Sequence, residues 1–420
     1  MWDASLFLHS FEYISTSRNM LHALLVRSVA EALYGIFCEN RHADKVIEYT
    51  LKQNPKAGSH DRAFIAETTY EIVRYYRLYT EVWGNNPRSA ADFWTIVAIH
   101  LIHQGHRTLP AWQEWKDLNI PGLSALLAEK SNHRAIAQSI PDWLDQLGAA
   151  ELNTSWDTTL EWLNRPARVV LRTNRLKTDR PTLLRDLAAE GIATEFLGTA
   201  DALVLQKRQN VFRTRAFRAG HFEVQDYSSQ LVAPLLAPQA GMRVIDACAG
   251  GGGKTLHLSA LMQNKGQLIA LDTLAWKLDA LRLRARRAGA TNIETRCIEN
   301  RKVIKRLYGT ADRLLLDVPC SGLGVLRRNP DTKWKISMEQ IEQLRQTQAE
   351  ILQHYAPMLK TGGRMVYATC SILPSENTRQ AEQFLDSATG RSFALLEERS
   401  ILPQEEGFDG FYMALLEKKA

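Results

Sequence analysis

The chain has 420 residues, 45% apolar and 23% charged, which predicts two to three domains of about 150 residues. That composition excludes a mostly disordered, collagen-like or disulfide-stapled chain. Lys and Arg outnumber Asp and Glu by 52 to 46, a net charge of +6 that favours a polyanionic partner only weakly by itself. Five cysteines, Cys38, Cys248, Cys297, Cys320 and Cys370, show no CxxC spacing, so neither a disulfide framework nor a zinc site is expected, and the thiols read as those of a reduced, cytoplasmic protein.

Residues 1–15 carry Asp3 and Glu12 and no basic stretch, so no secretory leader is expected. No apolar run reaches the roughly 18–20 residues needed to cross a bilayer. Residues 1–150 read as an all-α domain. In 19–37 the residues Leu21, Leu24, Leu25, Val29, Leu33 and Ile36 recur at helical steps; in 61–83 Phe64, Ile65, Ile72, Val73, Tyr76 and Tyr79 do the same. Breakers at Asn54-Pro55, 84–87 and Pro121-Gly122 separate the blocks. His100, His103 and His106 stand three residues apart, a step that drifts around a helix, with no carboxylate at ligand spacing. They read as core-edge histidines, and no metal is expected.

Residues 160–235 read as a small basic α/β module. Strands are predicted over 168–173 and 202–206, with a helix over 181–191 between them. Residues 165–218 hold twelve basic and five acidic residues, a net +7 that exceeds the charge of the whole chain. Concentrated charge of this kind predicts a face for phosphates.

After a helix-like stretch over 227–236, strands and helices alternate. Strands are predicted over 242–247, 267–271, 292–297, 313–318 and 364–368, and helices over 254–262, 275–288, 337–359 and 375–386. Residues 236–420 are thus predicted to be a doubly wound α/β domain, and strands over 393–397 and 410–417 an antiparallel hairpin at one edge.

The first strand of that domain runs into Cys248, Ala249, Gly250, Gly251, Gly252, Gly253, Lys254 and Thr255. A strand, a glycine turn and a helix make a nucleotide site, because glycine lets backbone approach the ligand and the helix start favours negative charge. A P-loop competes, since Gly253-Lys254-Thr255 matches its end and 314–317 imitates its acidic motif. The match fails at Cys248, where a P-loop needs glycine. S-adenosylmethionine fits better: acids Asp246 and Asp272 end the first and second strands, and Asp272 lies 19 residues past Gly253. Asp272 would otherwise serve as a helix cap, and the glycines as a plain turn.

Cys320 follows the fourth strand and Cys370 the fifth, so both thiols should open into the crevice at the strands' carboxyl ends. Cys38 and Cys297 read instead as small buried hydrophobes. A thiol beside a methyl donor suits the chemistry of a pyrimidine. Carbon 5 is a poor nucleophile, and a thiolate added at carbon 6 makes it enamine-like. Asp317, three residues before Cys320, suits binding of the cytosine edge.

These residues match a known family. Segments 246–255 (DACAGGGGKT), 317–335 (DVPCSGLGVLRRNPDTKWK) and 367–377 (YATCSILPSEN) resemble the RsmB/Nop/NSUN RNA cytosine-5 methyltransferases, and most closely the bacterial RsmB-type rRNA enzymes. Segments 224–231 (VQDYSSQL), 171–177 (LRTNRLK) and 410–415 (GFYMAL) add to the resemblance, which spans about 165–420, and the helical front resembles an RsmB-type NusB-like domain. The resemblance implies S-adenosylmethionine-dependent methylation of RNA, 16S rRNA in RsmB-type enzymes. It implies Cys370 as nucleophile, Cys320 as the group assisting product release and Asp317 as the base-binding acid. Asp246, residues 248–254, Asp272 and Asp317 would hold the cofactor.

Two positions depart from the family. Gly251 stands where it usually has Pro, and Glu299 and Asn300 stand nearest to where an Asp contacts the adenosine; one of the two, Asn300 or Glu299, is expected to replace it. Arg172, Asn174 and Lys177 in the module, and Arg327, Arg328, Lys333 and Lys335 after Cys320, are the expected RNA contacts, on a target exposed for attack. The alternative is a non-catalytic RNA-binding assembly factor of the same fold. No membrane partner is expected, and the chain is taken as a monomer.

Overall fold

A computed structural model describes residues 21–198 and 201–419. The stretch 1–15, read above for a leader, lies outside the described residues. The chain divides into two compact units, Met1–Ile140 and Pro141–Ala420.

The first unit is helical, with Ala23–Phe37, Ala43–Gln53, Ser59–Arg74, Tyr76–Trp83, Asp92–His103 and Ile120–Lys130 as its longer helices. Asp92–His103 is its core helix, with every residue from Phe93 to Ile102 except Thr95 buried. The helical stretch expected over 61–83 is in fact two helices broken at Tyr75. The break is stabilised from far away in sequence, since the Ser139 hydroxyl accepts from the Arg77 amide at 2.8 Å. Local periodicity carries no trace of such a contact. His100 and His103 each lie 3.0 Å from the Tyr79 hydroxyl, and burial pushes His100 down to about 3. Cys38, expected to be buried, is exposed, because it caps the end of Ala23–Phe37.

The second unit opens with helices Asp142–Leu152 and Trp156–Leu163 and then builds two sheets. The smaller comprises β1 (Val170–Thr173), β2 (Thr194–Phe196), β3 (Ala202–Leu205) and β4 (Phe222–Val224), all antiparallel in the order β2-β3-β1-β4. Helix Arg180–Ala189, started by the Asp179 side chain, buries Leu183 and Leu187 against Leu171, Leu203 and Phe222. The short strands β2 and β4 carry too little alternation to be read from sequence.

The larger sheet comprises β5 (Arg243–Asp246), β6 (Gln267–Asp272), β7 (Ile293–Cys297), β8 (Ala311–Asp317), β9 (Leu359–Thr369), β10 (Phe393–Ile401) and β11 (Phe411–Lys418). Their order is β10-β11-β9-β8-β5-β6-β7. Strands β5 to β9 are mutually parallel, and β11 pairs antiparallel with both β9 and β10. This is the doubly wound fold with an edge hairpin that the alternation predicts. The central strands are apolar runs, such as 0% exposed Leu314, Leu315 and Leu316, because helices cover both faces. Chain order reverses between β5 and β8, which opens a crevice at their carboxyl ends.

Candidate active site

Four acidic or thiol-bearing strand ends converge on that crevice: Asp246 on β5, Asp272 on β6, Asp317 on β8 and Cys370 just past β9. The Cys320 and Cys370 sulfurs lie 3.4 Å apart. Their loops come this close because Gly324 allows it. A Cβ there would stand 2.2 Å from the Gly410 carbonyl oxygen and 2.8 Å from that of Cys370. The hydrogen bond to Cys370, followed by burial, pushes the Cys320 thiol well up.

Asp317 lies three residues before Cys320, and its Oδ2 accepts from Lys254 Nζ at 2.7 Å. Lys254 also stacks its ammonium over the Phe411 ring, 5.0 Å from the centroid. The start of the glycine helix thus supplies the cation that fixes the acid at the end of β8.

The glycine loop turns through Gly250 and Gly252, both at positive φ (53° and 86°). At Gly252 a Cβ would also meet Leu281 at 2.5 Å, so only glycine closes this turn. Asp272 braces the loop: its Oδ2 accepts from the Gly250 amide and its Oδ1 from the Leu274 amide, both at 2.9 Å. Arg284 donates to the Gly251 carbonyl at 2.6 Å. Beneath the loop, Asp246 Oδ2 accepts from Thr255 Oγ1 at 2.7 Å while Oδ1 is buried without a hydrogen bond, and burial raises this carboxyl to about 7.

A cavity of about 620 Å³ opens beside the loop. Of the residues expected at the cofactor, it takes Cys248, Asp272 and Asn300 into its wall. The wall does not include Asp246, Ala249, Gly250, Gly251, Gly252, Gly253, Lys254, Glu299 or Asp317. Between the two candidates at the adenosine position, Asn300 therefore lines the cavity and Glu299 does not. Asn300 also caps helix Arg301–Lys305 by accepting from the Lys302 amide. The sequence reading missed Lys277, Ile298, Pro319 and Tyr355, which are among the other residues of the wall. Pro319 precedes Cys320, so the cavity reaches the thiol loops. A cavity of this size beside the glycine loop, with Asp272 at the end of β6, Asn300, and the apolar side chains of Ile298, Ile351 and Tyr355 in its wall, suits S-adenosylmethionine. No group of three or more His, Cys, Asp or Glu able to hold a metal occurs among the described residues.

The expected RNA contacts need correction. Arg172 is 3% exposed and donates to Gln225 and to the Gly253 carbonyl. Asn174 donates to the carbonyls of Gly220 and Ala288, each at 2.8 Å. Buried Arg327 donates to the carbonyls of Gly407 and Pro166 at 2.7 and 2.9 Å. Arg328 bridges the buried carboxylates of Asp226 and Asp409. Lys333 is buried with Asn164 Oδ1 3.4 Å from its ammonium, and Lys335 pairs with Asp331 at 3.1 Å. Lys177 is exposed, but its ammonium caps the Ala219 carbonyl at 2.8 Å. Arg172, Asn174, Arg327 and Lys333 are interior fasteners, and the partly exposed Arg328 and Lys335 and the exposed Lys177 also donate to the protein's own acceptors, so phosphate contact would cost those bonds.

The reading also missed Glu376. It is fully buried, and its carboxylate accepts from the Ser321 amide at 2.8 Å, from both the Ser321 and Ser371 hydroxyls, and from Gln348 Nε2 at 3.0 Å. The signal available was a lone Glu six residues after Cys370, which spacing alone does not distinguish from a surface acid.

A family model described as 16S rRNA methyltransferase RsmB/F matches residues 233–417, and an RsmF/B-like ferredoxin-like domain model matches 140–212. The chain is 32% identical to the ribosomal RNA small subunit methyltransferase B of Vibrio vulnificus over 86% of this chain and 92% of that protein. It is 37% identical to the enzyme of the same name from Vibrio cholerae, over 70% of this chain and 68% of that one. The crystal structure of PH0851 shares the fold, with a TM-score of 0.80 at 24% identity, covering 96% of this chain and all of that one. With its doubly wound sheet and glycine-loop crevice, the chain belongs to the RsmB/F family of 16S rRNA methyltransferases.

Proposed function

We propose that the protein methylates carbon 5 of a cytosine in 16S rRNA through a covalent adduct between Cys370 and carbon 6. The observation that carries this reading is the pair of thiols 3.4 Å apart at the ends of two neighbouring parallel strands, beside a carboxylate held by a lysine. S-adenosylmethionine, when bound in the cavity walled by Cys248, Asp272 and Asn300, supplies an electrophilic methyl group. Asp317, oriented by Lys254, hydrogen-bonds the cytosine edge and favours electron flow into the ring. The Cys370 sulfur forms a bond to carbon 6, and carbon 5 becomes nucleophilic and takes the methyl group. The carbon-5 proton is then lost to a base, the sulfur–carbon bond breaks and Cys370 returns. Its hydrogen bond to Cys370 and its burial keep the Cys320 thiol protonated, so it does not make the attack; once that proton has passed to solvent, its thiolate is the base that takes the carbon-5 proton in the release step. The target base must be unstacked to reach the thiols.

The test is trapping. Cys320→Ala, expressed with the cell's own RNA, should accumulate an RNA-linked band that survives denaturation, and Cys320→Ala/Cys370→Ala should not. Sequencing the trapped RNA should return a cytosine of 16S rRNA. Loss of Cys370 alone should lower methyl transfer by about 10⁴-fold or more. A band in the double variant, or none in the single one, overturns the assignment of the nucleophile.

A further inference from the structure

Cys320 and Cys370 are each followed by a serine, and both serines bind one carboxylate. Ser321 and Ser371 meet at 3.1 Å between their hydroxyl oxygens, and Glu376 Oε2 accepts from both hydroxyls. Glu376 Oε1 accepts from the Ser321 amide and from Gln348, whose amide nitrogen also donates to the Pro319 carbonyl at 2.9 Å. The carboxylate is itself held in place, because the Tyr367 hydroxyl donates to the Glu376 carbonyl at 2.6 Å and Glu376 is completely buried. All four groups on the carboxylate are donors, so the site is built for a negative charge.

Burying a carboxylate is costly, and an apolar packing of equal volume would join two loops more cheaply. What the charge provides is geometry. It ties the loop after β8 to the loop after β9 one residue from each sulfur, and it holds the two hydroxyls that also meet each other there. We propose that Glu376 is a positioning residue for the methyl-transfer reaction, setting the spacing between the two thiols through Ser321 and Ser371. The inference rests on the reading of Cys370 and Cys320 given above. The charge of Glu376 also adds to the effects of the Cys370 hydrogen bond and burial in keeping Cys320 protonated.

The test measures thiol spacing without RNA, then turnover with it. Phenylarsine oxide bridges two sulfurs at short separation. The full-length wild-type chain should bind one equivalent that resists competition by a monothiol, and Cys320→Ala should not. Glu376→Gln, which replaces an acceptor oxygen by a donor, should lose this bridged binding at least tenfold while still binding S-adenosylmethionine and melting as a folded protein. Its turnover on 16S rRNA should fall by about 10²-fold, the size expected for a displaced reacting group. It should also accumulate the RNA adduct with Cys320 present, because the release group has moved. Ser371→Ala keeps Glu376 and removes one tether; it decides the matter if Glu376→Gln fails to fold, with a turnover loss of about tenfold expected.

Bridged arsenical binding and turnover within about twofold of wild type in both variants overturn the proposal. So does a loss of both that tracks loss of folded protein in both variants. Because arsenical binding needs no RNA, failure of the trapping experiment would overturn the functional reading and leave this spacing test standing.

Discussion

In the seam between the four-stranded and seven-stranded sheets, Arg172 and Arg327 are 3% and 5% exposed and donate to acceptors of the protein itself. Between β3 and β4, Lys207, Arg208, Arg213 and Arg218 are exposed with no carboxylate partner among the described residues, beside Phe212, which is 55% exposed. Both sets contribute to the same +7 segment or its counterpart after Cys320. The first behaves as mortar and the second as a charged surface. A count of positive residues therefore locates a basic module without saying which of its guanidinium groups can meet a phosphate. What separates the two sets is the presence of carbonyls brought in from distant parts of the chain, Gly253 for Arg172 and Gly407 for Arg327.

Arg328 gives the largest test of that division. Its guanidinium is the cation between Asp226 and Asp409. Arg328→Ala should destabilise the chain by about 3–5 kcal/mol, since it leaves two buried carboxylates facing one another. Thermal unfolding should shift down by roughly 10 °C. The effect should depend on pH. Burial, and then the neighbouring Asp226, raise the Asp409 carboxyl to about 6. A raised carboxyl contributes stability that is present in acid and is lost as pH rises through the folded-state value. Removing Arg328 raises that value further, so the loss should be larger at pH 8 than at pH 5. An Arg328→Ala protein that melts like wild type at pH 8 and differs from it only in RNA affinity would return Arg328 to the phosphate-binding set.

Asn174 is an intermediate case. Its side-chain amide joins two carbonyls, of Gly220 in the small module and of Ala288 at the end of helix Ala275–Ala288. Asn174→Ala should cost about 1–3 kcal/mol of stability, the penalty for buried acceptors left without donors. The salt dependence of RNA binding should stay the same. A change in that slope without a change in the melting temperature would mean that the amide faces RNA.

The same distinction explains what was legible in the sequence. The central strands of the large sheet are apolar runs, the glycine loop stands between β5 and its helix, and Cys320 and Cys370 each follow a strand. These are local signals, and strand ends in a doubly wound sheet meet by topology. Proximity of the two thiols was therefore readable. Their separation of 3.4 Å was not, because it depends on Gly324 passing under Gly410 and on Glu376 joining two loops. Nor did local pattern tell that Asp272 braces Gly250, or that Asp246 lies under the loop without entering the cavity wall. Buried polar partners are long-range facts, and a side chain read alone has none of them.

The smallest effect on stability should come from the exposed set, and it should be accompanied by an effect on RNA. Lys207, Arg208 and Arg213 replaced together by serine should leave the melting temperature nearly unchanged, within about 0.5 kcal/mol, because no buried group loses a partner. RNA affinity should fall, and the slope of log affinity against log salt should flatten by about 0.7 for each phosphate contact removed from a single-stranded target. Phe212 gives an independent readout, since an exposed ring beside cations is a stacking platform for an unpaired base. Phe212→Ala should weaken binding by about 1–3 kcal/mol while leaving the salt slope alone. If both variants bind RNA as wild type does, the charge on this stretch serves solvation only, and the phosphate contacts must be sought on the first unit or on the cavity rim near Arg301 and Lys305.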